Sequence, residues 1–93
     1  MPQYTIALEY DGCFLIAQVF GSTPKASVET WIQTLDREFG HVIGPTRCKT
    51  IQEGFETAYL IKRVEDLENV WCAVSRIEGQ LAVAHIIWTV SEV

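Results

Sequence analysis

The chain carries one pattern twice. Val28-Glu29-x-Trp31-Ile32-x-x-Leu35-x-Arg37-x-x-Gly40 aligns, 39 residues later, with Leu67-Glu68-x-Val70-Trp71-x-x-Val74-x-Arg76-x-x-Gly79. Apolar residues three and four apart, with polar residues between them and a glycine at the end, describe an amphipathic helix. Each copy follows a stretch that reads as a β-hairpin. The chain is therefore expected to form two ββα units and a closing strand. The matched residues are common in any helix, so they speak to geometry more than to ancestry.

The first hairpin has the clearest signal. Tyr4, Ile6, Leu8 and Tyr10 alternate with Gln3, Thr5, Ala7 and Glu9, as in a half-buried strand. Asp11-Gly12 follows, a dipeptide suited to the positive φ angles of a two-residue turn. Cys13 to Phe20 returns. Such a turn pairs Tyr4 with Val19, Ile6 with Ala17, Leu8 with Leu15 and Tyr10 with Cys13 on one face. It pairs Gln3 with Phe20, Thr5 with Gln18, Ala7 with Ile16 and Glu9 with Phe14 on the other.

Thr23 can cap a helix and Pro24 suits its first position. Val28, Trp31, Ile32, Leu35 and Phe39 supply the apolar stripe, and Gly40 is the expected stop. His41 to Pro45 reads as a loop. Thr46 to Gln52 and Phe55 to Arg63 read as a second hairpin around Glu53-Gly54, the first of them a polar edge strand. Cys48, Phe55, Tyr59 and Ile61 share one face, with Arg47, Lys49, Glu56 and Lys62 on the other. A second helix runs from about Leu67 to Gly79, its acidic start (Glu65, Asp66, Glu68) favourable to the helix dipole. Leu81 to Val90 is apolar on both faces apart from His85 and Thr89, which suits a central strand.

These elements predict an α+β fold. Residues 1–93 form a single domain, a two-layer sandwich of a five-stranded, mostly antiparallel sheet with two helices on one face, in the order ββαββαβ. A ferredoxin-like arrangement is rejected, because pairing across Asp11-Gly12 would oversubscribe the neighbours of the second strand.

Single-striped helices on one side leave the other side of the sheet bare. That side is expected to hold Phe14, Ile16, Gln18 and Phe20. The last strand adds either Val83, His85 and Ile87 or Ala84, Ile86 and Trp88. Covering a few hundred Å² of apolar surface at ~25 cal/mol per Å² is worth several kcal/mol. A second copy, a small apolar ligand or another protein would provide that cover. Helices on opposite faces would leave nothing exposed.

Composition narrows the chemistry. A net charge of −5 with no basic cluster argues against nucleic-acid binding. No apolar run approaches the ~20 residues of a membrane span, and no signal-peptide pattern opens the chain, so a cytoplasmic location is expected. The 3 cysteines, Cys13, Cys48 and Cys72, fit no metal or disulfide spacing and read as reduced thiols. Neither a metal site nor a cofactor is expected, and nothing resembles a phosphate-binding loop.

A core histidine bonded to a neighbour is the favoured reading of His85. It would also serve as a general base beside Thr5, Glu9 or Gln18. His41 reads as a helix-end residue. No contact between Cys13 and His85 follows from the sequence. Arg47, Lys49 and Lys62 read as a solvated edge, and Trp31, Trp71, Trp88, Phe39 and Tyr59 as mainly structural. The expected function is a small non-enzymatic binding or interaction domain. It would form a homodimer or bind a small apolar ligand through Phe14, Ile16, Gln18, Phe20, His85 and Ile87. The alternative is a small enzyme with His85 as base on the same face.

Overall fold

The computed structural model describes residues 2–89; Val90, the expected end of the last strand, lies outside them. The elements are β1 (Gln3–Tyr10), β2 (Cys13–Phe20), α1 (Pro24–Ile43), α2 (Pro45–Thr57), β3 (Leu60–Arg63), β4 (Val70–Ile77) and β5 (Gln80–Thr89). The architecture is the expected one, a five-stranded antiparallel sheet with two helices on one side. The elements run ββααβββ along the chain rather than ββαββαβ. The sheet order is β2-β1-β5-β4-β3, with β5 at its centre as expected.

The first hairpin has the predicted register, from Gln3 opposite Phe20 to Tyr10 opposite Cys13. Asp11 and Gly12 both take positive φ, 49° and 77°. Helix α1 begins as expected, with Thr23 Oγ1 accepting from the Ala26 N–H at 3.0 Å and Pro24 in the first turn. It does not stop at Gly40. It runs through His41 to Ile43 and half-buries Phe39 and Ile43 against the core. The chain turns at Gly44, which ends α1 and leads straight into α2.

The second half of the chain differs from the sequence reading. Thr46–Gln52 is not a strand, because Cys48, Ile51 and Phe55 recur at helical spacing and all three are buried. Glu53-Gly54 is not a turn but lies within α2. Gly54 is required because a Cβ there would run into the Ile77 side chain. Residues 67–79 do not form a helix. Ala73, Ser75 and Ile77 point into the core and alternate with Cys72, Val74 and Arg76. Glu78 and Gly79, at φ 50° and 80°, repeat the backbone of Asp11-Gly12 and join β4 to β5. The repeated ββα unit is therefore absent.

One core lies between the helices and the sheet. Ile6 and Leu8 on β1, Ala84 and Ile86 on β5, Val28, Trp31 and Leu35 on α1, and Ile51 and Phe55 on α2 are buried there. Trp31 meets Phe55 edge-on, with ring centroids 5.5 Å apart. Gln52 Nε2 donates to the Ile32 carbonyl at 2.7 Å and ties α2 to α1.

Candidate interaction surface

The strand registers define every row of the helix-free face. One row runs Ile16, Ala7, His85, Cys72, Lys62 from β2 to β3. Phe14, Glu9, Val83, Val74 and Leu60 form the next row, and Gln18, Thr5, Ile87 and Val70 lie on the other side. Phe20, Gln3 and Thr89 end the face. Of the two choices for the last strand, the face takes Val83, His85 and Ile87; Ala84 and Ile86 are buried under the helices.

All six residues singled out from the sequence share this face. Phe14 is 59% exposed, Ile16 and Phe20 54%, and Ile87 37%. Gln18 donates to Thr5 Oγ1 at 3.3 Å, so its amide lies along the sheet. Val70, Cys72, Val74, Leu60 and Leu81 extend the surface. Sequence reasoning missed Val70, Cys72 and Val74 because it placed β4 in a helix; reading Glu78-Gly79 as a second two-residue turn would have found them. The charged side chains are few. Glu9 sits on β1, and Arg76 and Lys62 lie beyond β5 on β4 and β3.

His85 is exposed on the open face rather than held in the core. Its cross-strand neighbours are Ala7 and Cys72. Thr5 and Glu9 lie one row away on β1, while Gln18 is separated from it by that strand. Burial pushes the Cys72 thiol above the ordinary thiol range, which keeps it protonated and poorly nucleophilic. Cys13 lies at the end of β2, two strands from β5, and does not pair with His85. Its sulfur instead accepts from Arg47 Nη1 at 2.8 Å, while Arg47 Nη2 bridges to Asp11 at 3.0 Å. Arg47 thus ties the start of α2 to the first turn. Arg47 and Lys49 stand on α2 and Lys62 on β3, so the expected basic edge is not assembled.

A groove of about 650 Å³ lies on the helix side, lined by Phe55, Tyr59 and Ile61, with Lys25, Glu29 and Glu56 around it. Burial and, after it, the Glu29 carboxylate push the Tyr59 hydroxyl above the usual phenol range. Among the described residues, no group of three or more His, Cys, Asp or Glu is placed to share a metal ion. No helix among them is long and apolar enough to cross a membrane. Compared with models of protein families, with curated proteins and with solved structures, the chain matches none.

Proposed function

We propose that this chain is a self-associating interaction domain whose open sheet face is covered by the same face of a second copy. The observation that carries the reading is the exposure of Phe14, Ile16, Phe20 and Ile87 together on one sheet face that is poor in charge. Five strands at the usual spacing give that face roughly 600 Å². Two such faces together reach the lower range of specific interfaces.

Charge favours a copy over an unrelated partner. A two-fold axis along the central strand β5 lays β1 of one chain over β4 of the other. Glu9 then comes within reach of Arg76 of the second copy. Such a contact is isologous and closes on itself. The open face supplies a surface of strand residues rather than an enclosing cavity, which suits a flat partner better than a small apolar ligand. The free thiols Cys13, Cys48 and Cys72 suit a reducing compartment, and the reading places the chain in the cytoplasm.

Ile87→Lys tests this. The side chain is on the open face of β5, opposite the helix-packed core. Light scattering at tens of micromolar should find a lower mass than for the unmodified chain, with the circular dichroism spectrum retained. The contact should weaken at least about thirtyfold, the ~2 kcal/mol of a hot spot. An unchanged mass would overturn the reading.

A further inference from the structure

The two edges of the sheet are unlike. Strand β3 is a short edge of 4 residues that carries Lys62 and Arg63. Short length and positive charge are common protections against edge-to-edge pairing. Strand β2 has 8 residues, CFLIAQVF, with no charge and no proline. Among the described residues it pairs only with β1, in an unbroken register without a bulge.

Backbone geometry identifies the free groups on that edge. A two-residue turn makes Tyr10 and Cys13 a hydrogen-bonded pair, and antiparallel pairs alternate from there. Leu15, Ala17 and Val19 therefore direct their N–H and C=O groups to β1. The bond from the Gly21 N–H to the Pro2 carbonyl, 3.1 Å, continues the same alternation. Phe14, Ile16, Gln18 and Phe20 direct theirs outward, away from the sheet.

The strand is also close to palindromic about Ala17. Phe14 mirrors Phe20, Leu15 mirrors Val19, and Ile16 mirrors Gln18. We propose that β2 pairs antiparallel with β2 of a second copy, with Ala17 opposite Ala17. That register brings together only outward-facing donors and acceptors: Phe14 with Phe20, and Ile16 with Gln18. It also sets aromatic against aromatic on the open face, a favourable cross-strand pair. The uncharged strand brings no like charge to the contact, although each chain carries −5.

This contact lies in the plane of the sheet and is independent of face-to-face stacking. It joins two sheets into a ten-stranded one with a single continuous open face.

Hydrogen exchange separates the two contacts, because stacking leaves the outward amides of β2 at an open edge. In the associated protein, the Ile16 and Gln18 amides should exchange at least about tenfold more slowly than in dilute monomer. Gln18→Pro removes one outward donor without breaking a backbone bond to β1, a placement that edge strands tolerate; it also removes the side-chain contact with Thr5. It should lower the mass and release the Ile16 amide, while Gln18→Thr, which also lacks the Thr5 contact but keeps the N–H, should retain the mass and the protection. Ile87→Lys should leave Ile16 and Gln18 protected. Rapid exchange at Ile16 and Gln18 in the associated chain would overturn the self-pairing and leave that edge to a strand of another protein. An unchanged mass in Gln18→Pro would overturn it as well.

Discussion

Gly54 sits where α2 crosses β4, and its missing Cβ lets the Ile77 side chain lie against the helix backbone. Alanine is the better helix former by about 1 kcal/mol, so an open site would gain from the change. This site is closed, because Ile77 is buried and held on a central pair of strands. Overpacking of this kind costs about 1–3 kcal/mol. Gly54→Ala should therefore lower the urea midpoint. In an Ile77→Ala background, where the obstruction is gone, the same change should be neutral or stabilising. Equal losses in both backgrounds would contradict the close approach. The sequence shows this glycine plainly but not its reason: Glu53-Gly54 has the composition of a turn, and the contact with Ile77 is long-range.

At the scale of elements, the two hairpins share one turn geometry but not one signal. Asp11-Gly12 is an evident turn. Glu78-Gly79 adopts the same pair of positive φ angles with a glutamate in the first position, where asparagine or aspartate is favoured. Glu78→Asn should therefore raise stability by about 0.5 kcal/mol, read from urea unfolding. A loss would show that Glu78 makes a contact worth more than the turn strain.

The same weak signal explains the misplaced second helix. Strand β4 is apolar on both faces, with Val70 and Val74 on one and Trp71, Ala73 and Ile77 on the other. A period of two vanishes when both faces are apolar, and the remaining spacing of Val70, Val74 and Ile77 imitates a helix. By contrast, β1, β2, the start of α1 and the central β5 were legible because turn, cap and pattern agreed. All six candidate residues fall on β2 or β5, which is why the open face survived the error in β4 and α2.

For the whole molecule, burial has a consequence at high pH. It is the largest cause raising the Tyr10 and Tyr59 hydroxyls and the Cys48 and Cys72 thiols above their ordinary ranges. Glu78 and Asp11 add to the effect on Tyr10, Asp36 on Cys48 and Glu29 on Tyr59; Arg47 opposes it on Tyr10. The folded chain keeps these protons where the unfolded chain releases them. Their contribution is therefore complete below about pH 8 and falls as pH rises through the thiol and phenol range, about 8.5 to 10. The urea midpoint should be lower at pH 10.5 than at pH 7.5, and a constant midpoint would contradict the burial of these groups.

The larger consequence of the proposal is association. Among the described residues, the helices cover one side of the sheet, and the other side, which carries Phe14, Ile16, Phe20 and Ile87, has no internal partner. Sedimentation equilibrium of the unmodified chain beside Ile87→Lys, from one to one hundred micromolar, tests this most directly. The account predicts a species heavier than a monomer in the unmodified chain and a lower mass in the folded variant. A unmodified chain that stays monomeric throughout that range would contradict it.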